Sequence, residues 1–422
     1  MATDVDVQYF SHLNGLALGN NWGDLIRLLD KALVTGIDLT QITIASISSQ
    51  GDITLNLYAA HNCMLFQIVE LAGFAPAELN GKYRIKGVPS TTELILKAEH
   101  VGKSITTIGA AKLASLGYEI IFRDTYDVKR IYRAKNPSEN HPYIRIDESL
   151  SSEEGVYAST YIKSAMVGLL ASIQDLDDFY ASDVLQLPFS PTEPAKNWKI
   201  LGTGVNVQRG WSLWHWAWNV SPMNNINATN GTVNGNRIFT LCGDNDAFYF
   251  NVAPSVSEQG SKFIYGCGLF GECIASDVIP NWFLFTTLAL RKASDGHYNG
   301  NTAGGFPLGI SELTARFFTT KYDLLSPLSD HTNAIPIMPD YNSGKSGFAG
   351  SGTAPSLMIP FKDAQNYLRG TLKHIAYNAK SETINISTTR LADKSMYVID
   401  TLQTSTSETG NGSVVYYLGE LE

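Results

Sequence analysis

Charge is scarce in this chain. Charged residues fill 17% of its 422 positions, below the roughly one quarter usual for a soluble globular domain. The balance is acidic, with 31 Lys and Arg against 40 Asp and Glu and a net charge of −9. No cluster of Lys and Arg occurs. Binding a phosphate backbone needs such a basic face, so no nucleic-acid partner is expected. Cysteine is rare too. Cys63, Cys242, Cys267 and Cys273 are too few in a chain this long for a disulfide framework, and buried free thiols are expected. No apolar run approaches the length of a membrane helix, so no membrane insertion is expected. The stretch Met1–Asp6 lacks the basic and apolar segments of a secretory leader. The expectation is a soluble protein made in the cytoplasm.

Motifs for cofactors, metals and catalysis are also missing. None of the eight histidines stands three or four residues from another His or Cys; the nearest pair is His61 and Cys63. A transition-metal site needs three or four converging ligands. Gly266-Cys267-Gly268-Leu269-Phe270-Gly271 has the letters of a dinucleotide fingerprint. That fingerprint must open a helix, whereas here Pro280 follows soon after, so a glycine-rich strand is the better reading. Gly344-Lys345-Ser346 has Pro339 where a phosphate loop needs its first glycine. Asp175, Asp177 and Asp178 lack the glycine turn of a calcium loop and read as a solvated turn. No Gly-x-Ser-x-Gly elbow is present. No catalytic, metal or cofactor residues are therefore expected, and the protein is read as a non-enzyme. Carboxylates that converge only in the fold are invisible at this level.

What the chain does have is apolar and turn-forming residues. Hydrophobic residues make up 44%, and there are 36 glycines. This composition suits many short strands joined by tight turns, and the length suggests two or three domains. The expected fold is mainly β with a few helices. Residues 1–40 read as an N-terminal segment with one amphipathic helix, in which Leu25, Ile26, Leu28, Leu29, Ala32 and Leu33 recur at helical spacing. Asn20-Asn21 offers polar cap candidates, and Gly36 offers a stop. Residues 41–104 read as a small barrel-like β-module. Ile42, Ile44 and Ile47, the turn Ser49–Asp52, and Ile53, Leu55 and Leu57 form its first hairpin. Asn80-Gly81 reads as a tight turn.

Residues 105–195 read as a mixed β region with a linker. A short helix is expected over Ile105–Leu116, then strands around residues 120–122, 128–133 and 143–146. Thr160–Asp175 is ambiguous and leans to strand. Pro188, Pro191 and Pro194 suggest a boundary near 195. Residues 196–422 read as a β-rich domain, sandwich-like and antiparallel, with long loops over 291–356. Arg237–Leu241, the turn Gly243–Asp246 and Phe248–Val252 form an expected hairpin. Trp211, Trp214, Trp216 and Trp218 crowd one segment. Alternate tryptophans fill a sheet core or a subunit interface, or they stack on a ligand. These four are the candidates for interface or ligand contact, with core or interface the favoured reading.

Ala60-His61-Asn62-Cys63-Met64, then Val69-Glu70-Leu71-Ala72-Gly73-Phe74-Ala75-Pro76-Ala77-Glu78-Leu79-Asn80-Gly81-Lys82-Tyr83-Arg84-Ile85, resembles a small β-module of phage virion proteins. His61, Gly73, Pro76, Leu79, Asn80 and Gly81 fall on its landmarks. Asn62-Cys63 departs from it, since a glycine is usual there. Tyr9-Phe10, the helix Leu25–Gly36, Ile131-Tyr132-Arg133, Tyr143–Asp147, Arg237-Ile238-Phe239 and Leu368–Leu372 extend the likeness. The chain is similar to a family of uncharacterised tailed-bacteriophage structural proteins. That resemblance implies a virion component of tail, neck or baseplate, with copies of itself and neighbouring virion proteins as partners. It supplies no catalytic residues. The alternatives are a host-surface protein that binds glycan or receptor, and an enzyme that degrades the cell envelope.

Overall fold

The computed structural model describes residues 3–138, 140–177, 185–190, 193–210, 212–218, 229, 231–271, 280–288, 317–320, 331–336, 356–358, 360–363, 365–378, 386–403 and 411–422. The architecture is mainly β, as expected, with antiparallel sheets and, among the described residues, one α-helix. That helix, Asp24–Leu29, continues as a π-helical turn over Asp30–Thr35, and Gly36 ends it at φ 72°. Its apolar stripe is buried as the spacing requires. Its cap is not local. The Asn20 and Asn21 side chains do not supply it; the Asn21 carbonyl accepts the Asp24 N–H, and the buried carboxylate of Glu148 accepts those of Gly23 and Ile26. A cap borrowed across the fold leaves no local signature in sequence.

The small module is a seven-stranded curled sheet. In spatial order its strands are Ile37–Asp38, Ala110–Leu113, Ile68–Ala72, Gly81–Ser90, Glu93–Leu96, Ile53–Leu57 and Ile42–Ile47. Residues 39–41 join its two edge strands. A connection that short reaches only about 14 Å, so the sheet must curl until those edges approach. The helix expected over Ile105–Leu116 is a strand there. Ala111 and Leu113 point inward while Ala110 is exposed, and the segment pairs with Ile68–Ala72. Gly109 permits this contact, because a Cβ there would lie 2.1 Å from the Ala72 carbonyl. Nor is Asn80-Gly81 a two-residue hairpin turn. A 3-10 turn, Ala77–Leu79, precedes it, Asn80 is extended, and its side chain bonds both the N–H and the C=O of Phe74.

Apart from two short two-stranded pairs, Ser151–Ser152 with Gly155–Val156 and Ile200–Leu201 with Gln208–Arg209, the remaining described strands form three sheets. One sheet runs from Tyr118–Arg123 through Lys129–Ala134, Tyr143–Asp147, Lys163–Leu170 and Ser212–Ala217 to Thr287–Leu288. A second has nine strands, and its consecutive members Phe239–Gly243, Ala247–Val252, Phe263–Leu269 and Trp282–Phe285 form a meander. The third has four strands, in the order Ile375–Asn378, Asn411–Glu420, Ser395–Gln403 and Thr388–Ala392. The ambiguous stretch 160–175 is thus a strand. The expected hairpin around Gly243–Asp246 is present, with the Asp244 carboxylate accepting the N–H groups of Asp246 and Ala247.

The nine-stranded sheet is the middle layer. Leu241, Phe248, Phe250, Tyr265 and Leu284 belong to one core, whereas Cys242, Tyr249, Ile264, Phe283 and Phe285 belong to another. A sheet covered on both faces reads as continuous apolar runs, which explains Phe248–Val252 and Trp282–Phe285. Gly266 and Gly268 sit inside this sheet. A Cβ on either would approach a neighbouring carbonyl to 2.5 or 2.3 Å, so the motif is packed strand. Pairing also runs across position 195: Lys163–Leu170 bonds Ser212–Ala217, and the far N-terminal strand Gln8–Ser11 bonds Phe239–Gly243. The regions on either side of 195 therefore share sheets. Within 291–356, where long loops are expected, the strands Phe317–Thr320 and His331–Pro336 extend the nine-stranded sheet. Most of that stretch lies outside the described residues.

Candidate functional site

The tryptophan segment lies inside the protein. Every residue of the strand Ser212–Ala217 is buried. Trp214 and Trp216 have no exposed surface and Trp218 has 2%. The Trp214 indole donates to the Phe285 carbonyl at 2.7 Å and stacks on Tyr265. Trp216 meets Trp22 edge-on with ring centres 5.8 Å apart, and Trp218 packs on Phe263. These three residues join layers of one chain and have no free surface for a ligand. Trp211 lies outside the described residues. His215, between them, is pushed down to about 3 by burial, reinforced by the charge of Arg209.

Cationic groups are also drawn inside, where they act as staples. Arg84 of the small module is fully buried and makes five hydrogen bonds to backbone carbonyls: two to Asp4 and one each to Val7, Phe66 and Leu418. It ties both ends of the described chain to the module. Arg209 bonds the carbonyls of Ser149, Ser164 and Asp147. Arg237 bonds those of Gly19, Val233, Gly235 and Pro254. A buried guanidinium is tolerable only when its donors are satisfied, and here carbonyls from distant segments satisfy them.

The acidic turn is drawn into a similar tie. Asp177 accepts from Lys129 at 3.1 Å and from Arg145 at 3.3 Å; Asp178 lies outside the described residues. Arg145 also bonds Asp147 at 3.0 Å and lies 4.3 Å over the Trp198 ring. Burial raises the Asp147 carboxyl, but the charges of Arg145 and Lys129 outweigh it and leave it below the usual range. These groups line a polar depression of about 320 Å³. Lys129, Arg145, Asp147 and Asp177 are each held by an opposite charge. Among the described residues no group of three or more His, Cys, Asp or Glu converges as a metal site. Cys63, Cys242 and Cys267 are buried free thiols; burial raises all three, Cys63 to about 12. A thiol held protonated is a poor nucleophile and a poor metal ligand.

A concavity of about 980 Å³ lies over the outer face of the four-stranded sheet. Its inner face, through Met396, Val398, Tyr416 and Leu418, packs on the nine-stranded sheet. Strict alternation then turns Tyr397, Ile399, Val415 and Tyr417 outward. Register sets Arg390 opposite Tyr397, and Tyr397 opposite Tyr417. The two tyrosine rings lie 5.5 Å apart. The facing wall is the turn Leu372–His374, fixed from behind. Lys373 pairs with Asp246, His374 bonds Asp244 at 2.7 Å, and the Tyr249 hydroxyl donates to the Lys373 carbonyl at 2.8 Å. Burial raises the Asp244 carboxyl, yet the bond and charge of His374 with two backbone N–H groups bring it below the usual range. Sequence reading missed this site, because its residues come from separate strands. The one available signal was the alternation of Met396–Ile399 and Val414–Leu418.

No family model matches this chain, and no curated protein matches it. Among solved structures, the chain is similar to the phage phi92 endosialidase at 10% identity and a TM-score of 0.15. That alignment covers 91% of this chain and 52% of the other, so the chain spans about half that protein's length. A TM-score this low carries no argument about shared fold or activity.

Proposed function

We propose that this chain is a structural protein of a tailed-bacteriophage virion. In this reading it sits in the tail, neck or baseplate and acts by contact with copies of itself and neighbouring virion proteins, without catalysis. The observation that carries the reading is that four landmarks of the phage-like module, His61, Gly73, Leu79 and Asn80, each have a defined structural task. His61 Nδ1 accepts the Cys63 N–H while its Nε2 bonds the Ser90 carbonyl at 3.1 Å. Asn62, where a glycine is usual, adopts φ 50°, a conformation asparagine tolerates better than most residues. Gly73 turns the chain at φ 78°, Leu79 is fully buried and Asn80 holds the loop at Phe74.

The arginine staples support the same reading. They commit charge to rigidity, and a scaffold that keeps its shape under load needs rigidity more than reactive groups. The test is mass spectrometry and antibody labelling of purified particles of the encoding phage, with light scattering of the isolated protein. A fixed copy number at one location on the particle is expected. Absence from mature particles would sink the proposal.

A further inference from the structure

The outer face of the four-stranded sheet carries a row of Arg390, Tyr397 and Tyr417 across three neighbouring strands. Arg390 is exposed and has no hydrogen-bond or ion-pair partner among the described residues. Among the described residues, the ionisable side chains lining the groove, apart from the tyrosine phenols, are Lys373, His374 and Arg390, with no carboxylate. This is unusual in a chain whose net charge is −9. Lys373 is paired from behind with Asp246 and the His374 ring is bonded to Asp244, which leaves the Arg390 guanidinium without a partner among the described residues. Glu420, beyond the groove, accepts from Ser395 and Tyr417 at 2.6 and 2.5 Å and holds that end of the row in place.

We propose that this groove binds an anionic oligosaccharide, with a sugar carboxylate on Arg390 and a sugar ring against the Tyr397–Tyr417 pair. A guanidinium matches a carboxylate bidentately. Aromatic side chains give an apolar body with a polar tip, suited to a ring that is apolar on its face and hydroxylated at its rim. Ser356 and Thr371 line the groove and supply hydroxyls for that rim. All four strands of the sheet contribute to the groove. The occupant therefore lies across a face, whereas an added peptide strand would need a free edge. A nucleic acid would need many cations, and this groove has one unpaired. The volume, about 980 Å³, is at the upper end of ordinary small-ligand sites.

The test is an array of uronic-acid tetramers (galacturonate, glucuronate, mannuronate and guluronate), each beside its methyl ester, probed with the full chain. At least one acid form is expected to bind, with its ester at least about tenfold weaker, as loss of a charged hydrogen-bond pair implies. Arg390→Gln should weaken the acid form by a similar factor and leave melting unchanged. Tyr397→Ser should weaken acid and ester alike. The proposal is overturned if no acid form binds, if esters bind as tightly as acids, or if Arg390→Gln binds like the parent. It does not rest on the virion reading, which particle labelling tests separately.

Discussion

Two aromatic rows in this molecule obey the same strand periodicity and meet opposite fates. Trp214, Trp216 and Trp218 alternate along one segment and are buried among other layers of the chain. Tyr397 and Tyr417 alternate with buried neighbours just as regularly, yet they face outward with Arg390. The difference is the number of layers. The sheet that holds the tryptophans is covered by the nine-stranded sheet on the face where Trp214 meets Phe248 and Tyr265. Among the described residues, the four-stranded sheet has one covered face. Aromatic density along a strand therefore reports that its side chains share a face, not whether that face is free. For this protein the densest tryptophan segment is structure, and the ligand-ready surface lies on a sparser one.

Substitutions can break that contrast. Trp214→Ala removes a fully buried indole and its bond to Phe285, so unfolding stability in urea should fall by about 3–5 kcal/mol. If the loss is under about 1 kcal/mol, the inner row is not core. The next effect is one of pH. His215 is held neutral in the fold at a value near 3, while in the unfolded chain it titrates near its ordinary value of about 6.5. Between these values the unfolded chain binds the extra proton, so stability is lost as pH falls from about 6.5 toward 3. Urea midpoints at pH 7 and pH 4.5 should differ less in His215→Gln than in the parent; an unchanged difference removes His215 from the acid response.

Smaller effects sharpen the comparison. The Trp216 indole N–H is buried without a hydrogen-bond partner among the described residues. Trp216→Phe deletes that orphan with some packing, so the two terms oppose each other and the net cost should stay below about 1.5 kcal/mol. A cost near that of Trp214→Ala would mean that the N–H is satisfied. Arg390→Gln is expected to do least, within about 0.5 kcal/mol by urea denaturation. A larger loss would turn the outer row into structure and end its role as a binding surface.

Much of the fold was legible. The amphipathic helix, the first module hairpin and the hairpin around Asp244 follow from local periodicity and turn chemistry, whereas 160–175 fitted helix and strand alike and its strand, Lys163–Leu170, is decided by pairing with Tyr143–Asp147 and Ser212–Ala217. The glycines of 266–271 were read correctly as strand because no helix could follow them. The failures share one cause. Ile105–Leu116 has apolar residues at spacings that suit a helix, but strand pairing with Ile68–Ala72 and a close approach at Gly109 decide it. Asn80-Gly81 has the letters of a tight turn, yet the Asn80 side chain is committed to Phe74. The groove went unseen because Arg390, Tyr397 and Tyr417 are neighbours only through register.

Alternation and turn residues by themselves determined that this chain is mainly strand and which side chains travel together on a face, because each strand fixes its own two sides. Tertiary structure alone decided which side is covered. That choice depends on pairings between distant segments, such as Gln8–Ser11 with Phe239–Gly243, and on staples such as Arg84, whose carbonyl partners lie as far apart as Asp4 and Leu418. No local pattern encodes a partner hundreds of residues away.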